Sequence, residues 1–447
     1  MAPKVDAKVK VRELTIRGLL LGVALTTIFT AANVYLGLKI GLTFASSIPA
    51  AVMSMAILSA VKDSSILENN IVQTVASAAG TLSAIIFVLP GLVIVGWWTG
   101  FPFWESFLIC VSGGVLGVLF TIPLRRALVT NSDLPYPEGV AAAEVLKVGS
   151  ETRGETKVDA GQAREGLMAV VYGTIASAGL AIAAATRLVA AEISGFFAFG
   201  TWGTGAPVAT SGYNMAWSLA LLGAGHLVGL SVGMSMFVGL IIAWGVAVPV
   251  LTYLQPAAAG ADLAVHTLTI WRTQVRFIGA GTIAVAAIWT LAKLSGPVVG
   301  GLISTIRSSQ QHGGDDRDRD IPPSWIAGLT VVCLAIAGIL AYRFAAAGPL
   351  AAHATTLAMI AVPFVFIVGF LIAGVAGYMA GLIGASNSPI SGIGILGIVT
   401  CASILTLAVA PTPELRPALV AFALFVTGIV FACATISNDN LQDLKTG

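Results

Sequence analysis

Long apolar stretches run through most of this chain, and they limit the folds that it can adopt. A helix needs about 20 apolar residues to cross the hydrocarbon core of a bilayer. About twelve stretches have this character: 18–38, 43–61, 71–96, 104–123, 165–188, 214–232, 233–254, 276–296, 324–347, 356–376, 389–410 and 417–436. Only Gly-rich sequence separates the two stretches over 214–254, so a re-entrant or broken segment is an alternative there. The pattern predicts an all-α, polytopic transmembrane helical bundle of about 12 spans.

Composition agrees with this interpretation. Hydrophobic residues make up 57% of the chain and charged residues only 10%, whereas soluble proteins carry about 25% charged residues. The stretch at 18–38 follows basic residues, as the apolar part of a signal peptide does, but it exceeds the roughly 7–15 residues of that part. We therefore interpret it as the first spanning helix.

The basic residues predict an orientation. With a cytoplasmic N-terminus, seventeen of the 23 lysines and arginines lie on the inner side, as the positive-inside rule requires. The aromatic-rich segment 194–213 is then an outer loop, a gate or an interfacial belt. We expect a multi-pass membrane protein with a cytoplasmic N-terminus.

Polar segments suggest a division into domains. Residues 1–17 form a cytoplasmic N-terminal segment, and 18–296 form a first transmembrane bundle with a cytoplasmic loop at 124–164. Residues 297–323 form a charged cytoplasmic linker, and 324–447 begin a second bundle. The chain contains no GxxxxGK[ST] motif, which is the signature of a P-loop. Active transport would therefore draw on an ion gradient or on a separate subunit.

Several classes of chemistry are not indicated. The four cysteines lie in apolar stretches without CxxC spacing, and the four histidines form no HExxH pair. We expect structural cysteines, no catalytic zinc and no cofactor. The net charge is only +2, without a long basic run, which argues against nucleic acid. No nucleophile and base are paired at membrane depth, so we do not expect an enzyme.

Polar side chains at membrane depth mark candidate pathways, because they are costly there. Glu68, Asn69 and Gln73 form a polar stripe at the start of the third predicted span, since residues three or four apart share a helix face. We expect Glu68 to bind a proton or a substrate amine, and Asn69 and Gln73 to hydrogen-bond a peptide backbone. The alternative is a helix N-terminus that caps itself at an interface.

A second polar constellation follows the first predicted span. Asn33 and Tyr35 accompany the GxxxG pair Gly37 and Gly41, and Pro49 lies within the second predicted span. A proline frees a backbone carbonyl, and such breaks are tolerated where the backbone lines a cavity. Ordinary helix packing is the alternative.

Two later segments repeat these patterns. Segment 377–392 resembles the second constellation, with a tyrosine, a Gly-Leu pair, a Ser-rich turn and a proline, and segment 437–443 echoes 68–73. Four of their residues join the candidate pathway for substrate and protons: Asn387, Ser388, Asn438 and Asp439. Transporters are often built from two repeats with the substrate site between them. The echoes favour a two-repeat architecture in which the second repeat is incomplete.

Four blocks of sequence resemble the oligopeptide transporter (OPT) family: 68–80, 131–146, 381–392 and 437–447. The resemblance runs from about residue 12 to the end and is strongest to the bacterial and yellow stripe-like side. It implies proton-coupled uptake of oligopeptides or, in the yellow stripe-like branch, of metal–chelator complexes. It also implies that Glu68 is the functional acid, and that the chain is C-terminally truncated, since family members are usually longer. The Pro-Tyr-Pro-Glu loop within 131–146 marks the family, but the sequence does not reveal its role.

We therefore expect a secondary active transporter of oligopeptides that is coupled to protons. Its partners would be a small peptide or peptide-like chelate, protons, the lipid bilayer and, as an open alternative, further copies of the chain. Transport of siderophore-like or nicotianamine-like metal complexes is the alternative substrate class. A channel or a structural membrane subunit is the alternative of another class.

Overall fold

A computed structural model of the protein describes residues 13–447, except 42, 44, 59–60, 62–63, 131, 152–159, 202–207, 259, 287, 290–291, 294–319, 387 and 389. Among the residues it describes, eight helices are long and apolar enough to cross a membrane. Contacts divide the chain into two compact units: residues 1–164 with 287–447, and residues 165–286. The molecule is a predominantly helical, integral membrane protein.

Helices account for most of the described backbone. In chain order they are α1 (Ile16–Ile40), α2 (Ser47–Leu58), α3 (Ile66–Leu82), α4 (Pro90–Ile94), α5 (Phe103–Arg125), α6 (Pro137–Glu151), α7 (Ala160–Ala185), α8 (Leu219–Val228), α9 (Leu230–Leu240), α10 (Val248–Leu254), α11 (Leu263–Ile270), α12 (276–286), α13 (Pro323–Ala346), α14 (Ala354–Ile383), α15 (Ile390–Ala408) and α16 (Arg416–Thr446). Short π-helical turns follow α5, α9 and α11.

Eight of the twelve predicted stretches correspond to long apolar helices. The other four differ: 43–61 contains the short helix α2, 165–188 overlaps α7, 214–232 is broken, and 276–296 is described as a helix only over 276–286 before the gaps begin. The count of 12 spans therefore remains a prediction.

Helix α16 forms the centre of the larger unit and is almost wholly buried. It packs against α14, α5, α15 and α3. Gly113 and Gly117 of α5 allow the closest approach, because a Cβ atom there would lie 2.5 and 2.6 Å from the backbone oxygens of Ile429 and Cys433. Small residues let membrane helices pack backbone to backbone. This GxxxG pair therefore forms a close packing contact between α5 and α16.

Two helices of the larger unit end at a glycine with a positive φ. Helix α1 ends at Gly41 (φ +73°) and α14 ends at Gly384 (φ +93°), a backbone conformation that glycine adopts without steric cost. The described residues between α1 and α2 (43 and 45–46) and between α14 and α15 (385–386 and 388) are not helical, and we call them the first and the second linker. The first linker leaves α2 only 12 residues long, so 43–61 does not form one full-length spanning helix. Pro49 falls in the first turn of α2, where a missing N–H is tolerated.

A β-hairpin in the smaller unit is the departure from the all-α prediction. Strands β1 (Glu192–Ala198) and β2 (Thr210–Ala216) pair antiparallel, with Glu192 opposite Ala216. The segment predicted as an outer loop or belt therefore contains a two-stranded ribbon. Its second strand enters the predicted span 214–232 and leaves α8 only 10 residues.

A further break at Gly229 (φ +83°) separates α8 from α9. The broken alternative for 214–254 is therefore confirmed, because the two stretches differ in structure. The second of them forms one long apolar helical run, Leu230–Leu254.

Candidate functional site

A partly open cavity lies in the larger unit, where the linkers after α1 and α14 meet. Its volume is about 90 Å³. The backbone N–H of Ala45 in the first linker donates to the hydroxyl of Ser386 in the second at 3.1 Å. Hydroxyl and amide side chains line the cavity: Thr43, Thr81, Ser386, Ser388, Ser391, Thr435 and Asn438. Gly41 and the linker after it thus meet part of segment 377–392 at one place.

Asn438 is the fully buried amide of this cavity. Its Nδ2 donates to the backbone oxygen of Ala376 at 3.1 Å and to the hydroxyl of Ser388 at 2.5 Å. Its Oδ1 has no hydrogen-bond partner among the described residues. Because buried polar atoms normally have partners, this oxygen is an acceptor whose hydrogen-bonding capacity is unused among the described residues.

Asn33 and Tyr35 occupy different positions. Asn33 is buried and donates to the hydroxyl of Ser46 at 3.1 Å, so it fixes the first linker. Tyr35 is 61% exposed, and its hydroxyl accepts from Lys39 at 3.3 Å. Neither residue lines the cavity. Asn387 lies outside the described residues.

A polar seam joins α3 to α16 and begins at the cavity. On each helix the members follow at four-residue spacing, which places them on one face. The seam consists of Gln73, Ser77 and Thr81 of α3 and of Thr435, Asp439 and Asp443 of α16. The hydroxyl of Ser77 donates to Asp439 Oδ1 at 2.9 Å, and Gln73 Nε2 donates to Asp443 Oδ1 at 2.5 Å. The structure thus brings the predicted Gln73 and Asp439 onto one seam.

Asp443 is the acid of this seam that sequence reasoning did not select. It lies in the segment 437–443 that echoes 68–73, and this echo was the available signal. Its side chain is buried, as are those of Asp439 and Gln73. Only the pairing with Gln73, 370 residues away in the chain, distinguishes Asp443 from an ordinary polar residue near a helix end.

Glu68 forms a separate ion pair near the start of α3. Arg17 binds it through two bonds, Nε to Oε1 at 2.6 Å and Nη2 to Oε2 at 2.8 Å, and the hydroxyl of Thr15 also donates to it. Glu68 is 1% exposed and Arg17 40%. The hydroxyl of Ser65 accepts from the Glu68 backbone N–H at 3.1 Å, as a helix cap does.

Asn69 belongs to the same end of α3 as Glu68. The hydroxyl of Ser54 donates to its Oδ1 at 2.6 Å, and its Nδ2 donates to the backbone oxygen of Ser65 at 3.1 Å. Asn69 therefore links α2 to α3 and does not line the cavity. The roles predicted for Glu68 and Asn69 in binding a proton or a peptide stay predictions.

The Pro-Tyr-Pro-Glu loop contacts the end of α14 and the linker that follows it. Tyr136 is fully buried, its backbone N–H donates to the oxygen of Gly381, and its hydroxyl donates to the oxygen of Leu128, both at 2.8 Å. Glu138 Oε1 accepts from the backbone N–H of Ser386 at 3.0 Å. Burial raises the pKa of Glu138, although the hydrogen bonds from the turn oppose this shift. The loop thus anchors the second linker. The sequence does not reveal this role, because the contact joins residues that are 248 positions apart.

A bundle of long apolar helices around a polar cavity at two helix breaks is the architecture of a membrane transport protein. The chain belongs to the OPT oligopeptide transporter family, whose model matches residues 13–447. No solved structure matches the chain.

Relatives come from bacteria and plants. A Haemophilus influenzae protein whose name assigns it to the oligopeptide transporters is 46% identical over 423 residues, which cover 92% of this chain and 64% of that protein. A metal-nicotianamine transporter of Oryza sativa is 24% identical over 266 residues, covering 55% of this chain and 36% of the relative. One from Arabidopsis thaliana is 31% identical over 164 residues, covering 36% and 22%. The chain thus spans less than two thirds of the length of each of these three relatives.

Proposed function

We propose that the protein is a secondary active transporter of oligopeptides in the bacterial plasma membrane, driven by protons and with a cytoplasmic N-terminus. The observation that carries the proposal is the polar cavity at the meeting of two helix breaks inside an apolar bundle. Family membership and the Haemophilus influenzae relative support a peptide as the substrate class.

The cavity offers the chemistry that a peptide backbone needs. A peptide presents N–H donors and C=O acceptors. Asn438 offers an acceptor that lacks a partner, and the serine and threonine hydroxyls of the cavity can donate or accept. Such a site would bind the peptide backbone and not the peptide side chains. It would therefore suit a carrier of peptides with many different sequences.

Binding of a peptide requires the cavity to widen. Its volume of about 90 Å³ is smaller than the roughly 300–1,000 Å³ of small-molecule sites. The hydrogen bond from Ala45 to Ser386 joins the two linkers, so it is the contact expected to break when they move apart. Both α1 and α14 end at a glycine with positive φ, which supports a two-repeat arrangement in which the linkers move as counterparts.

Uptake into proteoliposomes tests the proposal. Radiolabelled tetra-alanine should accumulate when an inward proton gradient is imposed, and a protonophore should abolish the accumulation. The variant Asn438→Leu, which removes the cavity amide, should lose uptake, whereas Ser403→Ala should not, because Ser403 is bonded only within its own helix. Size-exclusion chromatography checks that both variants fold. Uptake that does not depend on the imposed proton gradient would indicate a channel and contradict the proposal.

Metal–chelate transport is the second candidate. The two plant relatives named as metal-nicotianamine transporters favour it. Uptake of radiolabelled iron–nicotianamine in the same vesicles separates the two: gradient-driven uptake of the chelate, and none of tetra-alanine, would replace the peptide as substrate.

A further inference from the structure

Asp443 and Gln73 form a carboxyl–amide contact with two unsatisfied oxygens. The Gln73 amide N–H donates to Asp443 Oδ1. The other oxygens of the two groups, Asp443 Oδ2 and Gln73 Oε1, are buried and have no hydrogen-bond partner in the described part of the chain. A carboxylate and an amide oxygen both only accept, so neither can satisfy the other while Asp443 is ionised.

A single proton bound to Asp443 would bring both oxygens into a hydrogen bond. When Asp443 Oδ2 carries a hydrogen, the carboxyl O–H can donate to Gln73 Oε1 while the amide N–H still donates to Asp443 Oδ1. A primary amide and a carboxylic acid pair in this way through two hydrogen bonds, because each then presents one donor and one acceptor. The two orphaned oxygens therefore indicate that a proton is the missing ligand.

The charges around Asp443 also favour its protonated form. Asp439 lies one helical turn earlier, with the two Cβ atoms about 6 Å apart. Glu138 lies at the same end of α16, since the N–H of the next residue, Gly139, donates to Gln442 Oε1 at 2.8 Å. Within the described residues, no lysine, arginine or histidine nitrogen lies within 4.0 Å of these three carboxylates. Neighbouring like charges and burial both favour the protonated form of a carboxyl.

The basic and titratable groups on the elements packed against α16 are accounted for. Glu68 of α3 is paired with Arg17, the arginines at the end of α5 are paired with Asp320, and Lys147 of α6 is paired with Glu144. Lys445 follows Asp443 by two residues, so it lies about 200° round the helix. The remaining groups are Glu105 and Cys110 of α5, Tyr136 of the family loop, Cys333, Tyr342 and Arg343 of α13, Tyr378 of α14, and Cys401 of α15.

The polar seam connects this site to the cavity. Thr81 and Thr435 line the cavity, Ser77 and Asp439 follow one turn along, and Gln73 and Asp443 follow one turn further. Hydroxyl and carboxyl groups at this spacing are the kind of chain along which protons pass in membrane proteins.

We propose that Asp443 is the proton-binding residue of the larger unit, protonated at neutral pH and paired through two hydrogen bonds with Gln73. Binding forms one O–H bond at Oδ2 with a proton taken from water, and release breaks that bond and returns the proton to water. The use of this proton to drive transport rests on the proposed function, whereas the protonation itself does not.

Infrared difference spectroscopy of the purified full chain near neutral pH tests the protonation. The carbonyl band of a protonated carboxylic acid should be present in the wild type and lost in Asp443→Asn. Gln73→Leu, which removes the acceptor of the O–H, should shift that band to higher frequency. The exposed acid variant Glu144→Gln should leave it unchanged. A wild-type spectrum that loses nothing in Asp443→Asn and does not shift in Gln73→Leu would overturn the proposal.

A transport measurement separates the two claims. If the band behaves as expected and Asp443→Asn abolishes gradient-driven uptake of tetra-alanine, protonation and coupling are both supported. If the band behaves as expected but the variant still accumulates peptide, the coupling role is overturned and the protonation stands. If the wild type itself takes up no tetra-alanine, the proposed function fails for this peptide, and the infrared result alone decides the inference about Asp443.

Discussion

Two acidic segments of the larger unit share a sequence pattern but not an electrostatic environment. In 68–73, Glu68 is buried against an arginine that binds both of its oxygens. In 437–443, Asp443 is buried against a neutral glutamine, with further acids nearby. The first carboxyl has its charge neutralised by a cation, whereas the second can be neutralised by a proton. Similar polar patterns in a membrane chain therefore acquire different roles from the residues that face them.

The largest expected effect concerns Glu68, the acid that is paired with Arg17. Arg17→Gln leaves the Glu68 carboxylate buried without its cation, a change that costs about 3–5 kcal/mol in fully buried pairs. Because Arg17 is 40% exposed, we expect the free energy of unfolding to fall by about 2–3 kcal/mol. Denaturant titration in detergent measures the change. The double variant Arg17→Gln/Glu68→Gln should recover more than half of the loss, and a double variant no more stable than the single one would show that the ion pair is not the cause.

The next effect tests whether α16 is locked inside the bundle, which keeps its acids buried. Gly113→Ala places a Cβ atom 2.5 Å from the backbone oxygen of Ile429, and overpacking of this kind costs about 1–3 kcal/mol. Gly114→Ala is the matched control, since its Cβ atom would lie 3.7 Å from the nearest neighbour. Thermal unfolding should separate the two variants, and equal melting temperatures would show that this contact can relax.

Tyr136→Phe tests the loop that brings Glu138 to α16. The substitution leaves the backbone oxygen of Leu128 without its donor, and we expect a loss of about 1–2 kcal/mol. The exposed Tyr172→Phe serves as the control in the same denaturant titration. A loss as small as that of the control would mean that the hydroxyl does not hold the loop.

A smaller effect is a pH dependence that arises from Glu138. Burial raises its pKa in the folded protein above the ordinary 4.5, so the folded state holds the proton more tightly than the unfolded state. The free energy of unfolding should therefore fall as pH rises above about 4.5, until the raised pKa is passed. Glu138→Gln should flatten this slope in melting curves recorded across pH, whereas Glu144→Gln should not. An unchanged slope in Glu138→Gln would assign the dependence to other acids.

The sequence predicted the long helices well because length and hydropathy alone determine them. Within the second predicted span it did not anticipate the non-helical residues after Gly41, which hydropathy does not register and which precede a described helix α2 of only 12 residues. It also missed the hairpin of β1 and β2, whose pairing depends on register between two separated segments. In both cases the backbone conformation, rather than the apolar character, decided the structure.

The candidate site was partly predictable from the sequence. Asn438, Ser388, Gln73 and Asp439 were selected because polar groups at membrane depth are costly, and the structure places them at the cavity or on the seam. The functions of Asp443 and of the family loop could not be predicted, because they depend on partners 370 and 248 residues away.

The most direct test compares gradient-driven accumulation of tetra-alanine by the wild type, Asp443→Asn and the charge-neutral double variant Arg17→Gln/Glu68→Gln. We expect Asp443→Asn to let the peptide equilibrate without accumulating, because it carries no exchangeable proton. We expect the double variant still to accumulate peptide, because the ion pair of Arg17 and Glu68 belongs neither to the cavity lining nor to the seam. Accumulation by Asp443→Asn, with loss in the double variant, would contradict the assignment and return Glu68 to the role of the coupling acid.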